Sequence, residues 1–154
     1  MKLYTKILLG LLGVFIIIQF IQPAHNKTEM TSATGMMKKY TVPDNVQALL
    51  KNSCYDCHSN NTRYPWYFNI QPMGWILASH IKEGKDDLNF DEFETYSLRK
   101  QMNKFRAMET SISDGSMPIS SYTFMHKDAR LTPVDTAILK SWIRRTKDSL
   151  STKN

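Results

Sequence analysis

From Val42 onward, apolar residues recur at helical spacing, and nowhere do they alternate in the two-residue rhythm of a half-buried strand. Val46, Leu49, Leu50 and Cys54 share one face of a first helix, with Asp44 placed to cap its start. Residues 59–67 are rich in turn formers and aromatics and read as a loop. Pro72 suits the first turn of a second helix, which runs to about Gly84 with Met73, Leu77 and Ile81 on one face. A third helical stretch spans about Asp91 to Ile112, where Ser97 can break it. Leu98, Met102, Phe105 and Ile112 form its apolar stripe, and Ser113-Asp114-Gly115-Ser116 ends it. The last helix has Thr132 as N-cap and Pro133 at its first position. Its apolar rows are Val134, Ile138, Trp142 and Leu139, Ile143, while Lys140, Arg144, Arg145 and Lys147 crowd its C-terminal half and complement the helix dipole. About four or five helices and no strand make this an all-α domain.

The N-terminus follows a different pattern. Lys2 and Lys6 precede an apolar run from Ile7 to Ile21, interrupted only by Gln19. The run is long for the apolar part of a signal peptide and a little short for a spanning helix, though it extends backwards over Leu3 and Tyr4 with Lys6 snorkelling. Gln22-Pro23-Ala24-His25 is a poor cleavage site, so a retained anchor is favoured over a cleaved signal peptide. No Cys follows the run, which excludes a bacterial lipoprotein anchor. The leading lysines keep the N-terminus in the cytoplasm and place the rest outside, on the periplasmic or extracytoplasmic side. The expected organisation is a membrane segment over 1–24, a polar tether over 25–41, one domain over 42–147 and a polar tail over 148–154.

Charge adds little. The 154 residues carry 20 Lys and Arg against 14 Asp and Glu, a formal +6. There is no basic stripe with interleaved aromatics, so nucleic acid is not an expected partner. A mild basic bias beside a membrane is a solvated face or headgroup attraction.

The chemistry is concentrated in Cys54-Tyr55-Asp56-Cys57-His58. Cys-x-x-Cys-His is the attachment signature of c-type haem. On a helical turn Cys54 and Cys57 share a face, so each thiol can add across one vinyl group of the same porphyrin to give a thioether. His58 is then the proximal iron ligand. A thioredoxin-like pair belongs after a strand at a helix start, whereas Cys54 falls at the end of a helix. A zinc site needs two further ligands, and His25, His80 and His126 lack the usual paired spacing. The chain has only these 2 Cys.

For the other side of the iron, Met117 is the leading candidate among 9 Met, most of which read as core filler. It lies in Asp114-Gly115-Ser116-Met117-Pro118, where Gly115 permits a close turn and Pro118 fixes the backbone. A thioether favours ferrous iron and raises the reduction potential. His80 and His126 are the alternatives, and His126 also suits a hydrogen bond to a propionate or carbonyl. Arg63, Tyr64, Trp66 and Arg130 are candidates for propionate contacts.

Cys54-Tyr-Asp-Cys-His-Ser-Asn-Asn-Thr, Tyr64-Pro-Trp-Tyr, His80-Ile with Leu88-Asn-Phe, Ser116-Met-Pro and Ala129-Arg-Leu-Thr together resemble the bacterial haem-binding domain family, over about residues 40–146. The resemblance implies one haem. The segment from Leu131-Thr-Pro to Trp142-Ile143 is also similar to the last helix of class I cytochromes c, which packs against the first. The expectation is therefore a cytochrome c-like domain outside the cytoplasmic membrane, carrying one covalent haem c and passing single electrons to redox partner proteins without transforming a substrate. A haem-based sensor or a peroxidase-like enzyme with an open or displaceable sixth position is the alternative.

Overall fold

Helices form where the apolar period places them, and loops form where Gly, Pro, Ser and Asn interrupt it. The computed structural model describes residues 2–28 and 35–152. Its helices are α1 (Leu3–Ile18), α2 (Met36–Lys39), α3 (Asp44–Ser53), α4 (Tyr55–His58), α5 (Met73–Asp87), α6 (Leu98–Ser113), α7 (Ser120–Met125) and α8 (Pro133–Ser151), with short 3-10 turns at Trp66–Asn69, Phe93–Thr95 and Lys127–Ala129. The described residues form no strand, and their extended pairing is one isolated antiparallel bridge between Lys27 and Asn61. The molecule is all-α.

Helix ends follow local chemistry. Thr132 and Asp135 form a reciprocal capping box at α8 with Pro133 in its first turn. Ser97 breaks the third stretch and caps α6 by accepting from the Lys100 amide. Asp44 differs from expectation: Pro43 takes the cap position and Asp44 falls in the first turn, where its charge still complements the dipole. Helix α5 passes Gly84 and continues to Asp87, because Gly84 is needed for close packing rather than as a stop.

Two apolar clusters result. The larger gathers Met36, Val46, Leu50, Phe90, Phe93, Phe105, Leu139, Trp142 and Ile143, where α8 packs on α6 and α3. The smaller consists of Tyr67, Phe68, Leu77 and Ile81, on one face of α5. Leu98, expected in the α6 stripe, is exposed at the first turn, while Phe105, Met108 and Ile112 are buried. The core begins earlier than Val42. Met36 is fully buried and its amide donates to the Phe90 carbonyl. It also ends later than residue 147, since Leu150 is buried in the last turn of α8.

No side chain of α1 is buried, and no described helix is long and apolar enough to cross a membrane. The segment after α1 runs along the domain. Gln19 and Gln71 exchange hydrogen bonds, Gln22 bonds Gln71 and the Asn69 carbonyl, and the Trp75 indole donates to the Ile21 carbonyl. Asn26 bonds Ser59, Thr62, Tyr64 and Lys85. Of the expected tether, 25–28 is thus docked, Met36, Met37 and Tyr40 belong to the core, and 29–34 lies outside the described residues.

Candidate functional site

The Cys-x-x-Cys-His pentapeptide closes α3 and opens a single new helical turn. Cys54 is the C-cap of α3, and α4 carries Cys57 and His58. Gly84 makes this turn's contact with α5 possible. A Cβ there would stand 2.8 Å from the Cys57 carbonyl oxygen and 3.2 Å from the Cys57 Cβ, so no larger residue fits without moving the motif.

His58 is clamped from the chain that leaves α5. Its Nδ1 lies 2.9 Å from the Leu88 carbonyl oxygen, and its own carbonyl accepts from the Phe90 amide at 2.8 Å. A carbonyl can only accept, so Nδ1 carries the proton and Nε2 is the bare nitrogen of the neutral ring. Fixing one ring nitrogen in this way orients the other as a metal ligand.

Cys54, Cys57, His58, His80 and Met117 line one cavity of about 230 Å³, with Glu83, Gly84 and Asp87 of α5 along one side and Pro118, Ile119 and Tyr122 on another. A second cavity of about 80 Å³ shares Cys54, His58, Asp87 and Met117 and continues between Leu88, Phe90, Met108 and Ile112. Met117 reaches the site from the turn after α6. Gly115 supplies φ 73° there, and the Met117 amide donates to the Ser111 carbonyl. Two thiols, one oriented imidazole and one thioether around mostly apolar walls match the attachment groups and axial donors of a haem. Among the described residues, no group of three or more His, Cys, Asp or Glu side chains is arranged to hold a bare metal ion.

The surroundings of the two thiols disfavour the thiolate. Both are free and half-buried, and burial pushes Cys54 up to about 12 and Cys57 up to about 11, with the neighbouring Cys57 and Asp56 charges respectively adding to the shift. Reactive dithiols are shifted the other way.

Other expected residues lie elsewhere. His126 stacks on Tyr122 with ring centroids 4.3 Å apart and its Nε2 meets the Tyr67 hydroxyl at 2.7 Å, so it does not line either cavity. Arg63 is drawn to the nearer carboxylate: its Nε and Nη2 each lie 3.2 Å from Asp56, and Nη2 also donates to the Lys51 carbonyl. Tyr64 accepts from the Asn26 amide and packs against Phe68. Trp66 is 75% exposed, and Arg130 is exposed at the end of the 127–129 turn; neither lines the cavities.

Sequence reasoning missed Asp56. It is buried and accepts from the Tyr122 hydroxyl at 2.6 Å and from Arg63, joining the attachment turn to α7. Its place inside the motif was visible, but its burial was not. The cavity side of α5 is in the sequence: His80, Gly84 and Asp87 recur at helical spacing beside Leu77 and Ile81.

The family model for the haem-binding domain matches residues 13–145. The chain belongs to that family. No curated protein and no solved structure matches it. Haem is therefore the family's cofactor, and the match begins well before residue 40, so that it takes in the docked strap.

Proposed function

We propose that the chain is a membrane-attached, extracytoplasmic c-type haem protein with a cytochrome c-like helical domain, and that it carries single electrons between redox partner proteins. One observation carries the reading: His58, with Nδ1 committed to the Leu88 carbonyl, sits in a cavity shared by Cys54, Cys57 and Met117. In this reading the two thiols hold one porphyrin by thioethers, His58 is the proximal ligand and Met117 the distal one. The iron supplies a one-electron couple, and a His/Met pair sets it high. The chain's own contribution is to orient His58, keep water from the apolar walls and fix the attachment turn through Asp56. Membrane attachment is supported by the lysine-led apolar N-terminus and places the domain where covalent haem attachment takes place in bacteria.

The test is extraction with acidified acetone, which breaks axial ligation and leaves thioethers intact. The expected result is haem retained on the polypeptide, and no stable holoprotein from His58→Ala. Haem passing wholly into the organic layer, or a normal low-spin holoprotein from His58→Ala, would refute the assignment.

A second reading rests on His80, which lines the same cavity beside Glu83. As sixth ligand it would give a bis-His site of lower potential. With the sixth position open, it would serve a sensor or a peroxidase-like enzyme as a distal acid-base group.

A further inference from the structure

The three longest stretches of the chain without Asp, Glu, Lys or Arg are residues 7–26, 64–81 and 115–126. All three converge at one end of the molecule. The first contains most of α1 and joins the second through the bonds of Gln19, Gln22 and Ile21 to Gln71, Asn69 and Trp75. The second meets the third where Met73, Ile76 and Tyr67 line a groove with Met125 and Tyr122. The surface so formed is strongly apolar. Trp66 is 75% exposed and Phe124 76%, with Ile70, Met73, Ile76 and Met125 also exposed. Single exposed apolar residues are ordinary, whereas a contiguous patch marks an interaction surface.

The uncharged stretches end at exposed charged residues, Lys27, Lys82 with Glu83, and Lys127 with Asp128, so the stretches themselves mark the apolar surface. An apolar patch with tryptophan and phenylalanine, next to the point where α1 meets the domain, fits the interfacial layer of a bilayer. The polar groups at the junction are already bonded to one another, as a weakly hydrated setting requires. The length of α1 points the same way. Its 16 residues rise roughly 24 Å, short of a hydrocarbon core of about 30 Å, so the chain just after it is drawn into the interfacial layer.

We infer that the domain does not hang on a free tether but lies on the outer lipid surface through Trp66, Ile70, Met73, Ile76, Phe124 and Met125. The inference rests on the membrane-attachment reading above. It places the haem cavity, which shares His80 and Tyr122 with the groove, beside the headgroup plane.

The full chain in nanodiscs of mixed phosphatidylglycerol and phosphatidylcholine provides the test. Trp66→Cys and Phe124→Cys are treated with a membrane-impermeant maleimide, with Arg145→Cys on the exposed face of α8 as reference and the unsubstituted chain as background. The expected result is loss of labelling at 66 and 124 with full labelling at 145. Replacing Met73 and Ile76 together by Ser should restore labelling at 66 and 124 while the chain stays in the disc. Equal labelling at all three positions in a chain that co-purifies with discs would overturn the docking and leave membrane attachment standing. A chain that does not enter discs at all would overturn both.

Discussion

Met117 is 40% exposed and reaches the cavity from a turn distant in sequence from the attachment motif, so attachment and sixth-ligand chemistry should separate on mutation. Met117→Ala should retain covalent haem, lower the reduction potential and make the iron high-spin or readily bound by carbon monoxide or cyanide. Met125→Ala should change none of these. An unchanged low-spin spectrum and potential in Met117→Ala would transfer the role to His80. Gly84 permits a sharper experiment, because its constraint is steric and no donor is lost. In Gly84→Ala the added methyl meets the Cys57 carbonyl at 2.8 Å, so α5 must move from the attachment turn and Leu88 with it. The expected outcome is a thermal midpoint lowered by several degrees, equivalent to about 1–3 kcal/mol of overpacking, together with poor haem loading. Near-normal loading and stability would mean that α5 and the motif are not in close contact. Asp56 was obscure in the sequence for a related reason: a carboxylate between two cysteines looks solvent-facing until Tyr122 arrives from a distant segment, and Arg63 from the following loop, to bond it.

At the scale of elements, α3, α5, α6 and α8 were legible because each carries a long apolar period with its own cap or proline. The short pieces were not. Helix α2, with only Met36–Lys39, has no room for a period, yet it seats Met36 at the centre of the larger cluster. The expected domain start at Val42 missed this residue. Met36→Ala should therefore cost about 2–5 kcal/mol, visible in chemical denaturation. A chain begun at Lys39 should be markedly less stable than one begun at Gly35, and equal stability of the two would contradict the burial of Met36. The α6–α8 contact makes a prediction in pH. Glu109 on α6 takes Arg144 at 2.6 Å and Lys147 at 2.5 Å from α8, and the hydrogen bonds from Lys147 and then Arg144 hold its carboxyl below the usual glutamate value. A depressed folded value stabilises fully above the unfolded pKa, and the benefit is lost as pH falls from there through the folded value. Glu109→Gln should thus lower stability slightly at neutral pH, on the order of 0.5 kcal/mol after solvent screening, and should match the parent in strong acid. An equal loss at both pH values would mean that packing, not charge, is what Glu109 supplies.

Across the whole molecule, Cys54 and Cys57 stand on different foundations. Cys54 packs against the larger cluster with Tyr55, whereas Cys57 packs against the smaller one beside Tyr64 and Ala78. The two adjoining cavities at these cysteines are walled by Phe90, Met108 and Ile112 of the first cluster in the smaller and by α5 and Tyr122 in the larger. Helical periods indicate which face of each helix is buried, but not that the buried faces divide into two bodies with a gap between. The sequence therefore exposed the candidate ligands plainly and the architecture around them only in part. Without a filling group, that gap leaves apolar walls lacking contacts on one side, and lost contacts of this kind are costly. A porphyrin tethered to both cysteines would fill the gap and join the clusters covalently. Chain made without haem attachment should consequently melt lower and over a wider range than holoprotein, with amide exchange fastest in α4, α5 and α7 and slowest in α6 and α8. The measurement is paired calorimetry and hydrogen exchange on the two forms. If haem-free chain melts as sharply and as high as holoprotein, the clusters already form one cooperative unit, and the haem is a passenger in the fold rather than part of its core.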